Sequence, residues 1–216
     1  MERCPKSALT ILGLCGSLRG DSSATKRVLQ IALDAAAQTE ATVEMIDLND
    51  YRLINCDGLP QQSKTLNTVP NDVEKLKQKV MAAKGVIIAT PEYHNSFSGV
   101  LKNALDLMGT PHFKGKIIGL IGVSGGQMGG LMAVNQLRDI SRSLHAVIPD
   151  QACVPTAWKN VDTEKGEIKD EGLKKRVEKV GMEVAKYAYL HANLKSQEFL
   201  DSIESGVFNP AGSAKE

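Results

Sequence analysis

The chain carries no excess of charge of either sign: Lys and Arg total 26, Asp and Glu 25, for a net charge of +1. That excludes a nucleic-acid binder driven by bulk positive charge, and it disfavours the acidic surface of an electron shuttle. Cysteine is scarce. Cys4, Cys15, Cys56 and Cys153 are widely spaced with no C-x-x-C, which fits a reducing, cytoplasmic setting better than a disulfide framework. No apolar run approaches the roughly 18 residues that cross a bilayer, so no membrane partner is expected. The longest run, Ile117 to Val123, is broken twice by glycine. No histidine stands beside a cysteine or a second histidine at ligand spacing, so no metal is expected. Arg3 and Lys6 before the apolar stretch Ala8 to Cys15 superficially resemble a leader peptide. The stretch is short and Leu14 is not small at the cleavage edge, so a buried first strand accounts for it better.

What is present suits one globular domain. The 216 residues are 42 % hydrophobic and 24 % charged, enough to bury roughly 70 % of the unfolded surface. Residues 1–216 read as a single domain with a core over about 8–190 and a frayed tail over about 192–216. Short apolar runs alternate with segments of helical period. Ala8 to Leu14 reads as a strand, and residues 24 to 38 place Val28, Leu29, Ala32, Leu33 and Ala36 on one helical face. Thr42 to Leu48 is a second strand. Asn71 or Asp72 can cap a helix carrying Val73, Leu76, Val80 and Ala83. Gly85 to Ala89 is a third strand, expected to be cut off by Pro91. Val100, Leu101, Ala104, Leu105 and Met108 form the next helical stripe. Lys116 to Val123 is a fourth strand, followed by a helix near 130 to 143, and His145 to Val154 supplies a fifth. Leu173, Val177, Val180, Val184 and Tyr187 mark a long C-terminal helix. Residues 49 to 70 make an unusually long connection, which points to a functional or interface loop.

Five β-α units with continuously apolar strands predict a parallel sheet covered by helices on both faces. Two strand orders are common, the flavodoxin-like 2-1-3-4-5 and the Rossmann order, and both bind ligands beyond the carboxyl ends of the strands. The loops at that edge are therefore where chemistry is expected.

After the first strand comes Gly16-Ser17-Leu18-Arg19-Gly20-Asp21-Ser22-Ser23, opening a helix. Free N–H groups at the helix start, glycines, the hydroxyls of Ser17, Ser22 and Ser23, and the fixed charge of Arg19 compose a phosphate cradle. The loop is neither a G-x-x-x-x-G-K-[ST] nor a G-x-G-x-x-G motif; a plain capped turn is the competing reading. The third strand runs into Pro91-Glu92-Tyr93-His94-Asn95-Ser96. Its N–H groups and tyrosine can face a flat heteroaromatic ring, although His94 by itself reads better as a solvated side chain. After the fourth strand, Ser124-Gly125-Gly126-Gln127-Met128-Gly129-Gly130 holds four glycines in six positions. They imply either close backbone approach to a ligand or sharp turning into the next helix.

Together with Gly99-Val100-Leu101-Lys102-Asn103-Ala104-Leu105-Asp106 and Phe113-Lys114-Gly115-Lys116, these stretches resemble the NADPH-dependent FMN reductase family, which includes quinone, azo and chromate reductases. The resemblance implies a flavodoxin-like three-layer α/β/α sandwich with a five-stranded parallel sheet, order 2-1-3-4-5. It implies FMN as cofactor, NADPH or NADH as hydride donor, and a small-molecule electron acceptor such as a quinone, azo compound, chromate, ferric chelate or free flavin. Ser17, Arg19 and Ser22, with Ser23, would hold the phosphate. Pro91, Glu92, Tyr93, His94 and Asn95 would line the ring, and Ser124, Gly125 and Gly126 would close its other edge. No side chain is implied as catalytic. A homodimer or homotetramer is implied, with the helix of Lys102 and Asp106 near the subunit contact.

Several positions depart from the family pattern. Ala24 stands where asparagine is frequent, and Ser23 or Thr25 can replace its hydrogen bond. His94-Asn95 replaces a frequent Asn-Gly, Ser98 a usual proline and Leu107 a usual tryptophan. An FMN-binding electron carrier or flavin sensor without reductase turnover is the alternative function. Cys15 reads as a buried strand-end residue rather than a redox thiol.

Overall fold

A computed structural model of the chain describes residues 9–58, 71–192 and 201–203. The elements run β1 (Thr10–Cys15), α1 (Ala24–Ala37), β2 (Thr42–Asp47), α2 (Val73–Ala82), β3 (Gly85–Tyr93), β4 (Ser96–Phe97) and α3 (Gly99–Asp106). There follow α4 (Thr110–Phe113), β5 (Ile117–Val123), α5 (Leu131–Ser143), β6 (Gln151–Val154), α6 (Ala157–Asn160), β7 (Val161–Asp162), β8 (Glu167–Ile168) and α7 (Glu171–His191). The main sheet has the order β2-β1-β3-β5-β6, all parallel, with β4 added antiparallel to β3. Counting the parallel strands alone, this is the flavodoxin-like order 2-1-3-4-5.

Two cores account for the three layers. Ile11, Ile87 and Ile121 on one sheet face pack under α1 and α7 through Leu29, Leu33, Val180 and Val184. Leu12, Leu14, Ile88 and Leu120 on the other face pack under α2, α3 and α5 through Leu76, Leu101 and Leu137. Successive strand residues point to opposite faces, and both faces are dry, so β5 is buried along its whole length. The helix α1 crosses α7 closely: a Cβ on Gly181 would sit 1.9 Å from Ala32 O. Every residue expected on the inner face of α1 is buried.

The structure corrects several boundaries. Pro91 does not end β3, which continues to Tyr93. The pairing of β3 with β1 stops at Cys15↔Ala89, and Gly16 N donates to Ala89 O at 2.8 Å. Two residues on, Pro91 turns its donor-less nitrogen to the flank that β1 has already left, where no ladder bond is lost. The fifth strand is shorter than His145 to Val154. His145 has φ 59°, and only a single bridge, Ile117↔Val147, precedes the regular ladder that starts at Gln151. Pro149 lacks a donor on this one-sided edge. Tyr187 is 40 % exposed rather than part of the buried stripe of α7. The hairpin β7-β8 was not legible, because two-residue strands carry no measurable period. Of the long connection, residues 59–70 lie outside the described residues, as does nearly all of the expected tail and the start of the chain. No helix among the described residues is long and apolar enough to cross a membrane.

Candidate functional site

The loop after β1 is held open by its own backbone bonds. Gly20, with φ 54°, lets the chain make one 3-10 turn over Gly20–Ser22 before Ser23 caps α1 by accepting the Lys26 N–H at 3.2 Å. Ala24 and Thr25 occupy the first two helical positions, and their N–H groups have no acceptor among the described residues. Ser17 is buried, and its Oγ accepts the Arg19 N–H at 3.3 Å. That leaves its hydroxyl hydrogen uncommitted, as with Ser23. The Arg19 side chain is exposed and has no polar partner among the described residues. Lys26 is otherwise engaged, 2.9 Å from Asp21 Oδ1 and 3.0 Å from Asp47 Oδ2. The bonds to Asp21 and Asp47 raise its pKa, and the bond to Lys26 lowers that of Asp21. Arg19 is thus the unneutralised cation of the loop.

Ser17, Arg19 and Ser23 face a cleft at the carboxyl edge of the sheet. Pro91, Glu92 and Tyr93 of β3 border it, as do Ser124 and Gly125 after β5. Eight of the twelve expected site residues therefore converge. The other four lie beside the cleft. Ser22 is exposed and donates its hydroxyl to Arg19 O at 2.9 Å. His94 and Asn95, with φ 51° and 60°, form the tip of the β3-β4 hairpin, whose register pairs Tyr93 with Ser96. Gly126 donates its N–H to Ser124 Oγ at 3.1 Å. Thr25, expected only as a stand-in for the asparagine that Ala24 replaces, also borders the cleft, as does Ala157, which was missed. Nothing local marks Ala157, which arrives from the far edge strand.

Several expected residues also serve the frame. Glu92 Oε2 accepts the Ala133 N–H at 3.0 Å and so caps α5, whose own N-cap, Gly130, has no side chain. The hairpin tip is tied to α5 by Gln136, which donates to Asn95 O at 2.8 Å and accepts from Ser96 Oγ at 2.6 Å. Two consecutive left-handed residues in a two-residue loop make a type I′ turn. That explains why Asn-Gly suits this position, and His94-Asn95 holds the same turn at greater backbone cost. Ser98, standing where proline is usual, caps α3 by accepting the Leu101 N–H and donates to Gly16 O at 2.6 Å, joining the first loop to α3. Leu107 is fully buried. Asn103 fastens the connection after β2, donating to Ile54 O and accepting from Cys56 N. Lys102 pairs with Asp106 on the surface of α3.

The glycine-rich loop divides by role. Gly129 and Gly130 have φ 66° and 89°, and a Cβ on Gly130 would lie 2.7 Å from Gly122 backbone; this pair is required by turning and close packing. Gly125 and Gly126 have room for a Cβ; Gly125 borders the cleft and Gly126 lies beside it. Burial pushes the Cys15 thiol up to about 12, so it stays protonated and packs as an apolar strand end. Burial, then the charge of Glu92, raises Cys153. No cluster of three metal-ligating side chains occurs among the described residues. A larger depression, lined by Asp34, Lys169, Lys174 and Glu178, lies on the helical flank away from the strand ends.

Buried hydroxyls, open helix N–H groups and one free guanidinium fit a phosphate monoester. The model of the NADPH-dependent FMN reductase family matches residues 9–159 of the chain. An NAD(P)H-dependent FAD/FMN reductase of Geobacillus thermodenitrificans is 30 % identical over 190 residues, covering 87 % of this chain and 96 % of that protein. An NADPH azoreductase of a Bacillus species is 36 % identical over 126 residues, 58 % of this chain and 68 % of that one. Among solved structures, the flavoenzyme NAD(P)H:(acceptor) oxidoreductase FerB of Paracoccus denitrificans is similar with a TM-score of 0.64 at 24 % identity, covering 85 % of this chain and 98 % of that one.

Proposed function

The chain belongs to the NADPH-dependent FMN reductase family, and from that premise we propose that its cleft takes FMN and passes reducing equivalents from NADPH to a quinone, an azo compound or a similar small acceptor. It is a flavin-dependent NAD(P)H oxidoreductase. The observation that carries the finer reading is the convergence of three loops on one cleft, with an uncommitted anion-binding set at one end. Ser17, Ser23, Thr25 and the N–H groups of Ala24 and Thr25 would bind the phosphate, and Arg19 would neutralise it. Pro91, Glu92 and Tyr93 would border the ring on one side, and Ser124 and Gly125 on the other. Ser22, His94, Asn95 and Gly126 would act through these neighbours.

When bound, FMN supplies the two-electron chemistry between nicotinamide and acceptor; the protein orients it. The cleft edge is a preorganised electrostatic element, since backbone N–H groups there need not reorient as negative charge develops. Tyr93 is 51 % exposed and Leu18 56 % exposed, so the mouth offers apolar area to a planar second substrate. One open face would serve donor and acceptor in turn, giving ping-pong kinetics. The relative named an azoreductase supports azo compounds as acceptors, and the one named an FAD/FMN reductase supports free flavin. The same exposed side chains support a homodimer or homotetramer, and the cysteine usage supports a cytoplasmic setting.

The test is anaerobic addition of NADPH to FMN-loaded protein, followed by stopped-flow reoxidation with a panel of acceptors. Rapid bleaching of the oxidised-flavin band and acceptor-dependent recovery are expected. An unbleached band would return the electron-carrier reading.

A further inference from the structure

We infer that Asn160 is a positioning residue: it braces Thr156 in a left-handed conformation, and through Thr156 it orients the Ser124–Gln127 backbone toward the flavin. The inference rests on the FMN reading above and concerns residues that lie outside the cleft.

Three successive carbonyls of the glycine loop are turned the same way. Ser124 O accepts from Ala157 N at 2.9 Å, and Gly126 O from Thr156 N at 3.0 Å. Gly125 O accepts from Trp158 Nε1 at 3.3 Å. In a trans peptide the N–H points opposite to the carbonyl of the same unit. The N–H groups of Gly125, Gly126 and Gln127 are therefore turned away from the 156–158 segment. Gly126 N–H is taken by Ser124 Oγ. Those of Gly125 and Gln127 have no acceptor among the described residues, and Gly125 borders the cleft. Donors aimed at a developing negative charge are what an electron-accepting ring requires.

The clamp depends on Thr156, a β-branched residue at φ 43°, ψ 51°. Such a residue rarely adopts that region, and it persists only where its surroundings over-determine it. Here Asn160 does so. Its Nδ2 donates to Pro155 O at 2.8 Å and to Thr156 Oγ1 at 2.9 Å. Its backbone N–H donates to Thr156 O at 3.1 Å. Without the side-chain brace, Thr156 would relax toward negative φ and carry its N–H away from Gly126 O, freeing the loop to rotate.

The experiment compares wild type, Asn160→Ala, Trp158→Phe and the double variant Thr156→Gly/Asn160→Ala. Each apoprotein is titrated with FMN and with riboflavin by quenching of flavin emission. Asn160→Ala should weaken both ligands in parallel by roughly tenfold, because the loop meets the ring and not the phosphate. Trp158→Phe, losing one long bond, should weaken both by roughly threefold. The double variant should recover most of the loss, since glycine holds the left-handed conformation without a brace. Trp158 is the chain's single tryptophan, so its emission in the apoprotein should shift in Asn160→Ala and return in the double variant. Unchanged affinity in Asn160→Ala beside a binding wild type overturns the brace alone. A loss that glycine does not rescue also overturns it. A wild type that takes up no FMN overturns the parent reading, and the brace with it.

Discussion

Arg19→Ala separates the phosphate from the rest of the flavin. The Arg19 side chain makes no polar contact among the described residues, so its removal spends nothing of the fold. Its backbone bond to Ser17 Oγ is retained. A charge-assisted hydrogen bond contributes about 1.5 to 3 kcal/mol net. The guanidinium is exposed, so the lower end applies, and about 1.5 kcal/mol corresponds to roughly tenfold in Kd. Ser17, Ser23 and the open N–H groups of α1 remain, so binding is weakened rather than abolished. The assay is titration of the apoprotein with FMN and with riboflavin at low and high salt. The FMN Kd should rise roughly tenfold with the riboflavin Kd unchanged, and high salt should compress the difference. The thermal midpoint of the apoprotein should stay within about 2 °C. Equal changes for the two flavins, or none for either, would refute the placement of the phosphate at this loop.

Other consequences are equally open to measurement. Asn95→Gly should stabilise the type I′ turn by about 1 kcal/mol, raising the midpoint by roughly 2 to 4 °C; no gain would mean the hairpin tip bears no backbone strain. Gly130→Ala combines φ 89° with a Cβ 2.7 Å from Gly122 and should cost about 3 kcal/mol, which calorimetry would read as a lowered midpoint. Lys116 is buried between the carbonyls of Met81, 3.0 Å from its Nζ, and Ala83, and desolvation followed by the charge of Lys84 lowers its pKa from 10.5 to about 8. Between those values the unfolded chain binds the extra proton, so this group adds stability as pH rises from about 8 to 10.5 and adds none below. Urea titrations of wild type and Lys116→Met should diverge over that window, by up to about 3 kcal/mol; parallel curves would show that the two carbonyls keep the ammonium charged.

The alternation of apolar runs with helical stripes was enough to read a parallel sheet covered on both faces and to narrow its strand order to two, because strands dry on both faces must be continuously apolar and right-handed crossovers leave few arrangements; the family resemblance chose between the two. The stripe of Val28, Leu29, Ala32, Leu33 and Ala36 and the start of α1 at residue 24 were legible for a related reason. Both depend on neighbours within a few positions. Pro91 misled because a proline ends a strand only where its nitrogen faces a paired neighbour, and the stopping point of β1 is not written near Pro91. The fate of His145 to Gln151 likewise turned on their lying at an edge with one partner.

At the site, residue types and loop positions pointed to Ser17, Arg19, Ser22 and Ser23 and to Pro91 through Asn95, of which Ser17, Arg19, Ser23 and Pro91 to Tyr93 border the cleft. Tertiary structure alone decided that Glu92 caps α5, that Ser98 ties α3 to Gly16, and that Thr156 and Ala157 bond the glycine loop. Each of these is a pairing across dozens of residues. A hydrogen bond between distant segments leaves no period and no local motif, because it is set by where the sheet delivers the strand ends rather than by the residues on either side.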